Sequence, residues 1–402
     1  MDELISNILI LVRFDNLKYS IFVFRCMQNK KLHIISFDNP FPPVYGGVID
    51  VFYKIKALHE LGIEIYLHCF VDEITEENSV LKQHVKEVYY YKRNKKNIFK
   101  LLSRFPFAVA SRYDTALVSN INKVEAPILF EGLQTTFAMH QHHFKNRKLM
   151  LRLHNLEANY FSGLAKSETN LAKKTLFGLE ATKYKSYQKI ISKFDATFTL
   201  SVSETDYVEE HFGNANYIPV FHGNETIVKL SEFGKYAFYH GDLRMADNKR
   251  AVAFLIKVFK KIPDYKLVIA SGCGADFVKN KIVSASNISY VSIENQEYLN
   301  QLLEEAHLNV MLSFQQSGTK LKLINSLYKS RFCIINSNMV DDENIRNLCE
   351  MAETQAEFIN VVNRLKNQPY LGFDKRKWVL NQILNDKINA MKMIEIIEII
   401  EK

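Results

Sequence analysis

The run Ser317-Gly318-Thr319-Lys320-Leu321-Lys322-Leu323-Ile324-Asn325-Ser326-Leu327 puts a glycine and two lysines where a strand gives way to a helix. Before it, Leu308-Asn309-Val310-Met311-Leu312-Ser313 reads as a buried parallel strand, and after it Phe332-Cys333-Ile334-Ile335-Asn336 reads as the next one. A glycine at such a turn lets a ligand approach the backbone, and a helix N-terminus offers free N–H groups to an anion. Lys320 and Lys322 add positive charge, so the chemistry this stretch could do is phosphate binding. The plainer alternative is a tight turn carrying two solvated lysines.

A second cluster lies in Leu151-Arg152-Leu153-His154-Asn155-Leu156-Glu157-Ala158-Asn159-Tyr160. Arg152, His154, Asn155 and Glu157 crowd another strand-to-helix junction, where polar groups are costly unless they bind a ligand or one another. His154 can hydrogen-bond a sugar hydroxyl or move a proton near neutral pH. In a self-satisfied network Glu157 would cap the helix. The two readings combine if Arg152 and Glu157 are structural and His154 faces a cleft. Glu131-Gly132 ends another strand in the same way.

Gly46-Gly47 follows the stiff run Asp38-Asn39-Pro40-Phe41-Pro42-Pro43 at a helix start, where a ligand can touch the backbone. Gly241 and Arg244, in Gly241-Asp242-Leu243-Arg244-Met245-Ala246-Asp247-Asn248, are further candidates for phosphate contact, with Asn248 suited to a helix N-cap. His140-Gln141-His142-His143 resembles a metal cluster. Adjacent spacing spreads those rings around a helix, however, and they are expected to face solvent. Asp341-Asp342 is expected to be solvated, and no metal site is predicted.

The elements that must position these groups alternate. Strands are predicted over 32–37, 63–70, 87–91, 127–130, 148–153, 196–200 and 217–220, with a helix over 46–61. A long helical segment spans 158–193, with Gly163 and Gly178 as breaks. Residues 222–234 read as a linker. The pattern then restarts with strands over 236–240, 266–270 and 288–291 and helices over 248–261, 276–283 and 296–306. Such alternation predicts an α/β fold of two doubly wound parallel sheets, whose ligands lie outside the carboxyl ends of the strands. The domains expected are 27–222 and 235–372. Residues 373–402 form a terminal helix or helix pair returning to the first domain, with a membrane-surface contact as the alternative for its apolar end.

At 402 residues, 47% hydrophobic and 24% charged, the chain has the composition of a globular protein long enough for two domains. Its net charge of +8 suits phosphate-bearing ligands, and the absence of a long basic run argues against a nucleic-acid partner. Five widely spaced cysteines without a CxxC pair argue against a disulfide framework or a zinc site and fit a cytoplasmic setting. Near the N-terminus Ile8–Val12 and Ile21–Phe24 are interrupted by charges, too broken for a transmembrane span. Met27-Gln28-Asn29-Lys30-Lys31 reads as a natural start, so residues 1–26 are expected to lie outside the fold.

Taken in order, these motifs resemble those of nucleotide-sugar glycosyltransferases of the GT-B fold, in particular the retaining family 4 of bacterial surface-polysaccharide synthesis. The resemblance covers about residues 30–400 and rests on Gly46-Gly47, Glu131-Gly132, Arg152-x-His154-Asn155-x-Glu157, Gly241-x-Leu243-(x)4-Asn248 and the Gly318–Leu323 loop. It implies two Rossmann-like domains facing a cleft. The donor would contact Gly241, Arg244, Ser317, Gly318, Thr319, Lys320, Lys322 and Asn325. The acceptor would lie near Gly46, Gly47, Glu131 and Asn155, with His154 catalytic. It also implies a glycan or lipid-linked acceptor, peripheral contact with the inner membrane face, and no metal or other cofactor. The chain departs from the family at two places. Ser317 and Asn325 stand where two glutamates are usual, and Asp242 and Asp247 stand where a basic pair is usual. Those departures also fit a GT-B scaffold of a glycan-assembly complex, and the fold is shared with nucleotide-sugar epimerases.

Overall fold

The structure, a computed structural model, describes residues 30–74, 79–95, 98–168, 170–315 and 320–401. The proposed 1–26 extension lies outside the described residues, as do Ser317, Gly318 and Thr319 of the lysine loop. Among the described residues the strands form two sheets. The first contains β1 (Lys31–Ser36), β2 (Glu64–Val71), β3 (Glu87–Lys92), β4 (Ile128–Glu131), β5 (Leu149–Leu153), β6 (Ala196–Thr199) and β7 (Ala215–Tyr217), in the order β3-β2-β1-β4-β5-β6-β7. The second contains β8 (Tyr236–His240), β9 (Leu267–Ser271), β10 (Ile288–Ser292), β11 (Ala306–Met311), β12 (Phe332–Ile335) and β13 (Glu350–Met351), in the order β10-β9-β8-β11-β12-β13. The pairings β1–β2, β1–β4, β8–β9 and β8–β11 are all parallel. The α/β class read from the alternating pattern is therefore the observed one. In each sheet the order reverses at the first strand, between β1 and β4 and between β8 and β11.

The helices that bear on the argument are α1 (Gly46–Glu60), α2 (Glu157–Ser167), α3 (Leu171–Tyr187), α4 (Val202–Phe212), α5 (Ala246–Phe259), α6 (Ala275–Ile282), α7 (Gln296–Glu305), α8 (Leu321–Lys329), α9 (Gln355–Leu365), α10 (Phe373–Ile383) and α11 (Asp386–Glu401). The described chain divides into two compact units. One contains the chain up to Arg152, Ile190–Thr197 and Asp386 onward, and the other Leu153–Lys189 and Phe198–Asn385. In the first unit α11 packs against α1 and buries Met393, Ile394 and Ile397. Lys30 reaches Glu398 at 2.5 Å. In the second, α5 and α9 cover one face of the sheet through Val252, Leu255, Phe259, Phe358 and Val362.

Three local expectations fail for physical reasons. The break in the 158–193 segment falls at neither glycine: Gly163 lies inside α2 and Gly178 inside α3. An isolated helical glycine costs only about 1 kcal/mol, whereas Asn170 restarts the helix by accepting the Lys173 N–H. The strand predicted over 217–220 is instead the short β7. Asn248 is not the cap of α5. Met245 holds that position without a side-chain bond, and Asn248 lies in the first turn.

A buried histidine pair cross-links the first sheet. His33 Nε2 lies 2.9 Å from the Val124 carbonyl, which can only accept, so that nitrogen carries the proton. His33 Nδ1 then accepts from His68 Nε2 at 3.0 Å, and His68 Nδ1 accepts from the Tyr91 hydroxyl at 2.9 Å. Burial pushes both imidazoles below their ordinary range. In the second sheet burial, helped by Lys322, pushes His240 down to about 3. A folded-state value below the unfolded 6.5 means that the unfolded chain takes up the proton first. Stability is thus complete above pH about 6.5 and falls as pH drops toward 3. At pH 5 His240 alone should remove about 2 kcal/mol. Urea midpoints at pH 7.5 and 5 check this: His240→Phe should flatten part of the acid limb, and an unchanged slope would refute the assignment.

Candidate functional site

The strand order reverses between β8 and β11, and open α/β sheets bind ligands at the carboxyl ends of their strands at such a point. Gly241 and Asp242 leave β8 there, Ser313 and Phe314 follow β11, and Lys320 precedes α8. The first turn of α5 fixes the loops. Asp247 accepts from the Phe314 N–H and the Ser313 hydroxyl, both at 2.9 Å. Asn248 Nδ2 donates to the Asp242 carbonyl at 2.9 Å, while its Oδ1 accepts from the Tyr239 hydroxyl at 3.1 Å and from Lys322 Nζ at 3.2 Å. A Cβ on Gly241 would come within 3.1 Å of the Tyr239 oxygen and 3.2 Å of Asn248, so a larger residue would crowd this bonding set.

The ammonium of Lys322 also lies 5.0 Å from the centre of the Tyr239 ring. Burial lowers Lys322 to about 8, with Asp247 opposing the fall and Lys320 adding to it. Lys320 is lowered too, chiefly by burial, against the pull of Asp247 and Glu204. Two half-buried ammonium groups at one helix start are chemically suited to an anion, their charges only partly screened by water. Of the predicted donor residues, Gly241, Lys320 and Lys322 therefore meet here. Arg244 does not share the site's bonding set. Its exposed guanidinium forks onto both oxygens of Asp242 and holds that carboxyl down at about 2. Asn325, one turn along α8 from Lys322, accepts from Asn224 Nδ2 of the linker at 3.0 Å.

In the first unit Glu131, at the end of β4, is fully buried and meets Lys54 Nζ at 2.7 Å. Lys54 also contacts Asp50 at 3.0 Å, and Arg152 grips Asp50 through Nε at 3.1 Å and Nη2 at 2.8 Å. Asp50, Lys54, Glu131 and Arg152 are thus two cations and two anions, all buried, bridging α1 to β4 and β5. Asp50 and Lys54 escaped the sequence reading. Their signal was a charged pair inside the apolar stripe of Val51, Ile55 and Leu58, where a solvated pair has no place. Gly46 is exposed at the start of α1. Gly47 has a packing reason to lack a side chain, since a Cβ would lie 2.7 Å from the Phe37 ring.

In the second unit His154 is 8% exposed just beyond β5, followed by the half-buried Asn155. Glu157 does not cap α2. Leu156 holds the cap position, and Glu157 lies in the first turn. His140, His142 and His143 are exposed, as the spacing implies. Asp341 and Asp342 are not solvated as predicted. Asp341 accepts from the Ser203 N–H and hydroxyl at the start of α4, and Asp342 accepts from the Asn344 N–H and the Tyr217 hydroxyl. Among the described residues no helix is long and apolar enough to cross a membrane.

No protein-family model matches this chain. It is 24% identical over 326 residues to an uncharacterized 44.6 kDa protein in the cps region of Klebsiella pneumoniae, covering 76% of this chain and 83% of that one. Among solved structures it is similar to the sucrose-phosphate synthase of Thermosynechococcus elongatus, with a TM-score of 0.65 and 15% identity over 92% of this chain and 98% of that one. It is equally similar to TarM, with a TM-score of 0.65 and 14% identity over 91% and 98% of the two chains. A TarM variant from S. aureus, solved with fondaparinux, alpha-GlcNAc-glycerol and UDP, matches with a TM-score of 0.58 and 13% identity over 93% and 100%. Two parallel sheets with this order, matched to such neighbours along nearly the whole chain, make the fold GT-B.

Proposed function

We propose that this chain is a glycosyltransferase that moves a hexose-type sugar from a nucleoside-diphosphate donor to a glycan or lipid-linked acceptor. Lys320 and Lys322, half-buried at the start of α8 beside the β8–β11 reversal and both lowered by desolvation, are the observation that carries this reading. The bond from the anomeric carbon to the diphosphate oxygen breaks, and the charge left on that oxygen is met by the two ammonium groups and the helix N-terminus. The acceptor hydroxyl forms the new bond on the same face, and its proton passes to the departing phosphate oxygen, so configuration is retained. His154 hydrogen-bonds a sugar hydroxyl. The reading invokes no metal ion. The relative in a cps region supports a surface polysaccharide as the product. In this proposal its synthesis takes place in the cytoplasm, at the membrane face where lipid-linked acceptors reside.

Thermal shift and calorimetry with UDP, GDP, ADP and CMP test the donor site. Selective stabilisation by one nucleoside diphosphate is expected. Lys320→Ala should weaken that binding at least tenfold, because Lys320 lies at the helix start. Lys329→Ala, at the far end of α8 and bonded to Asn300, should leave it unchanged. Equal affinities for the two variants would remove the phosphate assignment, and no binding by any nucleotide would leave the scaffold reading in its place.

A further inference from the structure

Helices α2, α3 and α4 line an open cleft of about 480 Å³, a volume within the range of small-molecule sites. Its lining mixes apolar or small residues such as Leu156, Ala165 and Ala181 with a set of polar ones. Lys166 and Lys185 line it together with Asn159, Thr182, Gln188 and Tyr207, and among the described residues no aspartate or glutamate does. Among the described residues neither lysine has a carboxylate within ion-pairing distance, and both side chains are exposed. The aromatic wall is held in place: Gln188 Nε2 donates to the Tyr207 hydroxyl at 2.8 Å, and the Tyr207 ring stacks on His211 with centroids 4.1 Å apart. Amide and hydroxyl groups beside two exposed ammonium groups match a sugar that bears a negative charge.

We propose that this cleft binds an anionic saccharide as part of the acceptor. The negative group is either the carboxylate of an acidic sugar or the phosphate of a phosphorylated one. The inference rests on the transferase reading for the word acceptor, but its binding site is separate from the lysines of α8. Sugar is recognised through hydroxyls bonded to Asn159 and Thr182, and charge through Lys166 and Lys185.

Calorimetry with trigalacturonate, glucose 1-phosphate and neutral maltotriose tests this, on the full chain and on a Lys166→Gln/Lys185→Gln variant. Both lysines are exposed, so the variant should keep its fold, and unchanged nucleoside-diphosphate binding would verify that. At least one anionic probe should bind, at least tenfold more tightly to the wild type than to the variant, and more weakly as salt rises. Trigalacturonate alone would identify a carboxylate ligand, and glucose 1-phosphate alone a phosphate. Equal affinity for wild type and variant, maltotriose binding as tightly as the acidic probes, or no anionic probe binding would each overturn the proposal. If nucleotides bind and saccharides do not, the cleft assignment alone fails. If saccharides bind and nucleotides do not, the donor reading fails.

Discussion

Replacing Lys54 by methionine is expected to destabilise the first unit by about 3–5 kcal/mol. Lys54 is completely buried between Asp50 at 3.0 Å and Glu131 at 2.7 Å. Removing its ammonium leaves Arg152 as the one cation of the four-residue network, facing two buried carboxylates. Methionine fills nearly the same volume, so the loss reports charge and not a cavity. The size of the effect comes from the anions left behind, because an intact buried pair is worth little over an apolar replacement while a broken one is costly. It follows that adding Glu131→Gln to Lys54→Met should recover most of the loss by removing one of the stranded charges. Urea unfolding of the wild type, the single variant and the double variant separates the cases. A single-variant loss below about 1 kcal/mol would be that of an ordinary surface change and would refute the account. If the network only supports the fold, nucleotide affinity of the folded fraction should not move.

Much of this fold is legible in the chain because parallel strands are buried on both faces and appear as apolar runs. Ile34, Ile35, Leu67, Leu129, Phe238, Ile269 and Val310 are all inaccessible, and each lies in a run that the sequence marks as strand. The glycines and lysines that follow such strands stand out for a similar reason, since they interrupt apolar runs, and Gly241 and Lys322 do come together around Asn248. What stayed hidden depends on partners distant in sequence. Asp50 and Lys54 look like an ordinary i,i+4 pair until β4 and β5 bring Glu131 and Arg152 against them. Asn248 looks like a cap by position, but it lies in the first turn of α5, with Tyr239 and Lys322 bonded to its side chain. Asp341 and Asp342 looked solvated because the groups they bond, Ser203 and Tyr217, lie more than a hundred residues upstream. Local pattern identifies the elements, and long-range pairing decides which polar residue is structural.

Lys322→Met should weaken nucleoside-diphosphate binding by about ten- to a hundredfold at pH 7, the range expected for losing a charge-assisted hydrogen bond. The same change should leave the stability of the ligand-free protein equal or higher, since burying an ammonium is costly and burying a thioether is not. That split separates a ligand-binding role from a structural one. Acidity gives a second signature. With its value lowered to about 8 by burial, Lys322 is mostly charged at pH 7 and loses its proton as pH rises past that point. Only the protonated form attracts a diphosphate, so wild-type affinity should fall above pH about 8, and the methionine variant should lack the share of that fall that belongs to Lys322. A bound dianion would also raise the Lys322 value, so the complex should take up protons in this range. Calorimetry near pH 8 in buffers of different ionisation enthalpy would then give buffer-dependent heats for the wild type and smaller differences for the variant. Asp247, which faces both lysines, sets the balance, because its carboxylate already offsets part of their charge. Asp247→Asn should therefore tighten diphosphate binding while it loosens the Ser313–Phe314 turn that the carboxylate holds. Matching pH profiles for wild type and Lys322→Met, with equal affinity at pH 7, would show that the diphosphate binds elsewhere.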